Sequence, residues 1–329
     1  MKVLIIGGSG QDAFYLATFL GTSHVSIVWL YRNSIDSYLP YLDSQKIVLF
    51  RLKDYSFESM LEVFKENEFD SCVLISGAVG NQYAREFPGA AYYQNITIVH
   101  NVASLIQQYS PKAHLYYFSS VDVDGSRSSS GPIIFNADSS AGSVSTTYGL
   151  SKLHASQYLQ LLHERGVLSC TILYLGMHES FFRKGDYVLT KIKNMVSESL
   201  VKDKIQPKSF GNLNVELDIG FARDYMSLVG QLVVHGESPK HIAIGTGVYT
   251  NLYRLCLSIL DEFGLNSDYL IVSNNSERAL FYPLVPFSCV DLPNNNDGTS
   301  PATKPQYLAP PPLDSAMLKF EYSSLVQRE

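Results

Sequence analysis

The stretch that decides the fold is Met1–Leu20, MKVLIIGGSGQDAFYLATFL. Lys2 to Ile6 is a short apolar run that stops at Gly7 and Gly8, so it reads as a strand ending in a tight turn. Gln11 to Leu20 then has helical spacing. The glycines between them fall at Gly7 and Gly10, with a small residue at Ala13. A glycine at the first position permits the tight turn, one at the second lets backbone approach a pyrophosphate, and a small residue at the third lets the helix pack on the sheet. A helix that starts directly after such a turn offers free N–H groups to phosphate. The context of strand, turn and helix points to a dinucleotide site built on Gly7 and Gly10 rather than a plain glycine turn.

The alternation continues outward from this unit. Val25–Leu30, Lys46–Phe50, Ser71–Ile75, Ala113–Phe118 and Leu168–Leu173 read as strands. Phe57–Lys65, Asn95–Tyr109 and Tyr148–Glu164 read as helices between them. Strands alternating with helices predict an α/β chain with a doubly wound parallel sheet of Rossmann type. On this reading residues 1–175 form the cofactor domain, with segments near 213–245 returning to it. Residues 176–286 form a smaller C-terminal substrate lobe, and 287–329 a tail. Within that tail, the stretch Pro293–Pro312 holds six prolines and reads as extended or disordered.

Composition sets the outer limits. The chain has 329 residues, 46% of them hydrophobic, and a net charge of −6. Such a balance supports a full core and disfavours a nucleic-acid binder, which needs a basic face. The cysteines, Cys72, Cys170, Cys256 and Cys289, form no C-x-x-C pair, which fits a reducing compartment. No run reaches the ~20 apolar residues of a membrane span. With no leader pattern at the start, the expectation is a cytoplasmic protein bound to neither nucleic acid nor membrane.

The second strand bears on the cofactor. An NAD site places an acid at its end to hold the ribose hydroxyls. Here the run is Tyr31-Arg32-Asn33-Ser34, and a cation followed by hydrogen-bonding residues suits a 2′-phosphate, hence NADP. The alternative is a solvated surface arginine. Asp54, after the third strand, reads equally as a partner of the adenine amino group or as the N-cap before Phe57.

Tyr148-Gly149-Leu150-Ser151-Lys152 is a Y-x-x-x-K pair, whose members share a helix face. Lysine's charge is expected to lower the tyrosine pKa, so that the phenolate can take a hydroxyl proton. Ser120 ends the fifth strand at the sheet's C-terminal edge, where it would hydrogen-bond the reacting oxygen; by itself it could equally cap a turn. Ser120, Tyr148 and Lys152 therefore read as a catalytic set. No cluster with metal-ligand spacing is found, and the adjacent His178 and Glu179 do not make a metal site.

These residues carry a family likeness. The chain resembles the GDP-mannose 4,6-dehydratases of the extended short-chain dehydrogenase/reductase (NAD-dependent epimerase/dehydratase) family, from residue 2 to about 260. GGSGQDAFYLATFL is similar to that family's opening, including Gln11-Asp12. LGMHESFFRKGDYVLTKI (175–192) is similar to L-F-N-H-E-S-P-R-R-G…F-V-T-R-K-I, and FGNLNVELDIGFARDY (210–225) to L-G-N-L-D-A-x-R-D-W-G-H-A-K-D-Y.

The resemblance implies NADP held by Gly7, Gly10, Gln11, Asp12, Arg32, Asp54, Tyr148, Lys152 and His178. It also implies a nucleotide-sugar substrate met by Glu179, Arg183, Lys191 and Asn212, and a homodimer or homotetramer paired through the helices Asn95–Tyr109 and Tyr148–Glu164. The implied reaction is redox-neutral: oxidation at C4, loss of water across C5 and C6, and reduction at C6. In the family's S-T-S-E-L-Y-G segment Ser120 takes the threonine position, and Asp122, one methylene shorter, takes that of the glutamate base. The alternative for Asp122 is a loop carboxylate without chemistry.

The chain also departs from the pattern. The asparagine before H-E-S is Met177, and the arginine of R-D-W-G, which clamps the sugar diphosphate, is Leu217. The later R-P-T-E arginine falls loosely on Tyr282. Arg183, Lys184, Lys191 and Arg223 could compensate, or could be solvated charges. An NADP-dependent reductase or epimerase of the same fold, and a non-catalytic NADP-binding relative, therefore stand as alternatives.

Overall fold

The computed structural model describes residues 1–42, 45–75, 77, 81–124, 135, 144–185, 187–201, 206–236, 239–272, 306–308 and 310–326. The nucleotide half comprises β1 (Lys2–Ile6), α1 (Gln11–Gly21), β2 (Ser26–Tyr31), β3 (Ile47–Arg51), α2 (Phe57–Lys65), β4 (Ser71–Leu74), α3 (Asn81–Glu86), α4 (Pro88–Tyr109), β5 (His114–Ser120), α5 (Thr147–Glu164) and β6 (Cys170–Leu175). The rest comprises β7 (Met177–Glu179), α6 (Val188–Val201), β8 (Lys208–Phe210), β9 (Glu216–Phe221), α7 (Ala222–His235), β10 (His241–Ile244), β11 (Tyr249–Asn251), α8 (Leu252–Glu262), β12 (Leu270–Val272), β13 (Gln306–Leu308) and α9 (Ser315–Val326).

The main sheet has eight strands in the order β3-β2-β1-β4-β5-β6-β10-β13, and every pairing in it is parallel. Its strands are apolar on both faces because helices cover both. Along β1 the side chains alternate accordingly. Leu4 and Ile6 join one core with α2, α4 and α5, while Val3 and Ile5 join the other with α1 and α7. The strand order reverses between β1 and β4, which opens a crevice at the C-terminal edge of the sheet.

β10 joins the main sheet from the second half of the chain, and α7 packs on it. The second half also forms a separate core, with Ile192 and Met195 from α6, Leu255 and Ile259 from α8, and Leu313 and Leu318 from the chain end. Two small sheets, β11-β9-β7 and β12-β8, complete this lobe.

Two elements of the far tail lie within the described residues, β13 and α9. β13 extends the main sheet beside β10, and α9 docks on α8 through Ser258–Ser315 (2.8 Å) and Lys319–Glu262 (3.1 Å). Leu313 and Leu318 supply the apolar anchors, a signal that the flanking prolines obscure. Tyr282, Cys289 and the prolines from 293 to 305 lie outside the described residues. Among the described residues, no helix is long and apolar enough to cross a membrane, and no cluster of His, Cys, Asp and Glu could hold a metal.

Candidate active site

The glycine loop takes the backbone form its residues permit. Gly7 and Gly8 have φ of 89° and 81°, the left-handed region that disfavours a side chain. Gly10 is the N-cap of α1 and supplies no side-chain cap, and a Cβ built there would meet nothing within 4 Å. The start of α1 thus carries no side-chain cap, an arrangement that fits an anionic phosphate.

Gln11 and Asp12 turn toward the lobe. Gln11 Nε2 donates to the His178 carbonyl (3.0 Å), and Ser180 Oγ donates to Gln11 Oε1 (2.8 Å). His178 Nδ1 faces the Gly176 carbonyl at 2.8 Å and Nε2 faces Asp12 Oδ1 at 3.1 Å. Both partners are acceptors, an arrangement that favours the protonated ring, in which both nitrogens donate. Burial alone would lower the His178 pKa, but Asp12 and the Gly176 carbonyl outweigh it and the pKa is raised. Burial likewise opposes ionisation of Asp12, yet His178 holds it below its ordinary value. The ring also stacks on Tyr225 at 4.8 Å.

Ser120 ends β5 at the crevice. Its Oγ accepts the Asp122 N–H (3.1 Å) and starts a single 3-10 turn, Val121–Val123. α5 opens opposite this turn, capped by Thr146 Oγ1, which accepts the Gly149 N–H at 3.0 Å. Gly149 is packed against the turn: a Cβ there would lie 2.3 Å from the Asp122 carbonyl oxygen. This contact brings Ser120, Asp122 and Tyr148 together.

Lys152, one turn further along α5, is 3% exposed and donates to the Phe118 carbonyl at 2.7 Å. Burial pushes its pKa down to about 7. Its Nζ lies 6.0 Å from the centre of the Tyr148 ring. Tyr148 does not have the lowered pKa expected from the lysine. Burial in the cleft, with the Asp122 charge adding to it, pushes the phenol above its ordinary value, while a hydrogen bond from Ser120 and the charge of Arg183 pull it partly back. With its pKa lowered to about 7, Lys152 is neutral at the alkaline pH where a phenol ionises, so it brings no charge to lower the tyrosine.

Ser120, Asp122, Tyr148, Lys152, Asp12, His178, Glu179 and Arg183 all line one cleft of about 200 Å³. Glu179 is 6% exposed, and its Oε2 has no hydrogen-bond partner among the described residues. Burial raises its pKa, and Arg183, whose Nε is 3.8 Å from Oε1, offsets part of the rise. The Arg183 guanidinium lies over the Tyr187 ring at 4.1 Å.

The other expected site residues lie away from this cleft. Arg32 is exposed just past the end of β2, where its carbonyl accepts from Arg51 Nε (3.4 Å). Asp54 follows β3, and its Oδ1 accepts from the Ser56 amide, the Ser56 hydroxyl and the Ser59 hydroxyl at 3.0, 2.6 and 2.6 Å. These bonds hold its pKa down to about 2. The N-cap of α2 is Ser56 itself, so Asp54 braces the cap rather than forming it. Lys191 lies over Phe210 at 5.9 Å, and Asn212 Oδ1 accepts the Asn214 N–H at 2.9 Å. Leu217 is 3% exposed in the lobe core, so an apolar side chain occupies the position of the family arginine.

The sequence reading missed two residues. Tyr187 lines the cleft under Arg183; its signal is the aromatic that opens the segment similar to F-V-T-R-K-I. Tyr38, fully buried in the connection between β2 and β3, donates to the Phe182 carbonyl (3.1 Å) and stacks on Phe14 at 4.8 Å.

Comparison with known proteins agrees with this architecture. The profile of the NAD dependent epimerase/dehydratase family matches residues 3–245. No curated protein matches the sequence. Among solved structures, dTDP-glucose 4,6-dehydratase from Bacillus anthracis in complex with NAD superposes with a TM-score of 0.70 at 15% identity, covering 87% of this chain and 88% of that one. UDP-glucose 4-epimerase from Thermotoga maritima with UDP-glucose gives 0.69 at 13% identity, covering 88% and 90%. RMD from Pseudomonas aeruginosa complexed with NADPH gives 0.67 at 16%, covering 86% and 89%. At these identities the likeness establishes the fold.

Proposed function

The chain belongs to the NAD-dependent epimerase/dehydratase family, and on that premise we propose that it is a nucleotide-sugar 4,6-dehydratase that uses NADP, acting on GDP-mannose or a related GDP-sugar. The observation that carries the reading is Asp122 in the same cleft as Ser120 and Tyr148, close enough for its charge to raise the tyrosine pKa. Simple oxidation or reduction needs the serine and tyrosine; a third group able to take a carbon-bound proton is what elimination adds.

NADP, held by the open α1 terminus with Arg32 at its 2′-phosphate, would supply the acceptor that takes a hydride from the sugar and returns it. Ser120 and Tyr148 would hold the C4 oxygen between them, Tyr148 exchanging its proton. Lys152 would lie beneath them, its ammonium favoured by any anionic or hydroxyl-rich neighbour. Asp122 would take the C5 proton, acidified by the C4 ketone, and pass it to the departing C6 hydroxyl, which leaves as water. Glu179 offers its second oxygen to a sugar hydroxyl, and Arg183 lies beside it.

The same reading includes a homodimer or homotetramer built on α4 and α5. α4 carries no Asp, Glu, Lys or Arg, and Tyr93 and Leu161 stand 69% and 45% exposed. The buried Leu217 favours a second reading, an NADP-dependent reductase or epimerase on a substrate that does not use the family's diphosphate clamp. Mass spectrometry after incubation with NADP⁺ and a panel of nucleotide sugars separates the two. A product lighter by one water, lost in Asp122→Asn, supports the dehydratase. Turnover of NADPH or interconversion of sugars, unaffected by Asp122→Asn, refutes it.

A further inference from the structure

Glu321 belongs to the last helix of the chain, yet its carboxylate is 7% exposed and its Oε2 accepts the Phe181 N–H at 2.6 Å, across 140 residues of sequence. It stands one turn from Leu318, on the face of α9 that enters the lobe core. A carboxyl group on an apolar helix face is costly unless a donor meets it. The donor here is a backbone amide in the segment that lines the cleft.

That segment, residues 178–183, is tied down at nearly every peptide. Lys193 Nζ donates to the Phe181 carbonyl at 2.7 Å, so the two peptide groups flanking Phe181 are held by side chains from α9 and α6. Ser180 bonds Gln11, the Phe182 amide donates to Ser180 Oγ (3.1 Å), and the Phe182 carbonyl accepts from Tyr38. Glu179 and Arg183, the cleft's buried carboxylate and guanidinium, flank the clamped turn two residues to either side of Phe181.

We propose that Glu321 is a positioning residue: through the Phe181 amide it couples the C-terminal helix to the cleft and sets the placement of Glu179 and Arg183. Ser120, Asp122, Tyr148 and Lys152 stand on β5, its turn and α5, on elements separate from this segment. Loss of Glu321 therefore acts on substrate affinity and leaves the reacting groups in place. The kinetic consequence rests on the nucleotide-sugar reading above; the structural one does not.

The test compares Glu321→Leu, which keeps the buried volume, with Glu321→Gln, which keeps an acceptor. Hydrogen exchange of peptides spanning 178–185 is expected to speed up about tenfold in Glu321→Leu, as for the loss of one buried hydrogen bond, with exchange in β1 and β5 unchanged. Glu321→Gln restores most of the protection. With a nucleotide sugar that turns over, Glu321→Leu raises KM about tenfold and leaves kcat within a few-fold. Should Glu321→Leu fail to fold, Glu321→Ala takes its place. A lower melting temperature with unchanged KM and unchanged exchange at 178–185 would make Glu321 a helix-docking residue only and overturn the proposal. Faster exchange without turnover of any sugar would uphold the coupling and count against the proposed reaction instead.

Discussion

Replacing Gly149 by alanine tests whether the contact between α5 and the Asp122 turn sets the catalytic geometry. The new Cβ would lie 2.3 Å from the Asp122 carbonyl oxygen and 2.8 Å from Val144 Cγ1. An ordinary carbon–oxygen contact is about 3.3 Å or longer, so the turn or the helix must retreat by about 1 Å. The turn cannot yield alone, because Ser120 Oγ holds the Asp122 amide and the Val121 carbonyl holds the Asp124 amide at 3.1 Å. Ser120 and Asp122 therefore move together relative to Tyr148. A misplacement of that size costs roughly 10²-fold in rate. Overpacking costs about 1–3 kcal/mol, while alanine regains about 1 kcal/mol over glycine within a helix. The expected result is a stability loss of at most about 2 kcal/mol beside a hundredfold loss of turnover. Stability is read from denaturant unfolding followed by Trp29 fluorescence, since this single tryptophan is fully buried in β2. Gly21→Ala is the control: no atom lies within 4 Å of its Cβ, so stability should hold or rise and turnover should not change. Near-wild-type turnover in Gly149→Ala would refute the reasoning, because the reacting groups would then tolerate a shift of this size.

The other predictions concern charge, capping and assembly. Lys152→Met removes a buried amine whose pKa burial has lowered from 10.5 to about 7, a penalty on the order of 3–5 kcal/mol at neutral pH, part of it offset by the lost bond to Phe118. The variant should melt higher and be inactive. Because the depressed pKa makes the wild type gain stability as pH rises from 7 to 10.5, the variant should lack that slope. The Asp12–His178 pair has the opposite signature: Asp12's contribution is lost as pH falls through its lowered folded pKa, and His178's as pH rises through its raised one. Asp12→Asn should therefore destabilise most between about pH 4 and 6.5, read by calorimetry across pH. Ser56→Ala removes the N-cap of α2 and should cost about 1 kcal/mol without affecting turnover. Leu161→Glu puts a charge on the exposed face of α5 and should shift a dimer toward monomer in light scattering; an unchanged mass would place the interface elsewhere.

What the sequence by itself determined is whatever depends on neighbours a few residues apart. β1, its glycine turn and α1 are legible because turn chemistry, two-residue alternation and helical spacing are local. The Tyr148–Lys152 pair is legible for the same reason, being one helical turn apart. The site's wider make-up is not local. Gln11 and Asp12 look like phosphate-loop residues, but their side chains bond His178 and Ser180, more than 160 positions away. Leu217 reads as a missing arginine, and only the lobe core explains the leucine. Glu321 follows a proline-rich stretch, and nothing near it in sequence announces that it bonds Phe181. The protons were illegible too: the Y-x-x-x-K spacing predicts a lowered tyrosine pKa, whereas desolvation raises the tyrosine and lowers the lysine. Burial and long-range contact exist only once the chain has closed on itself, so tertiary structure alone decided which polar groups meet in the cleft and what charge they carry there.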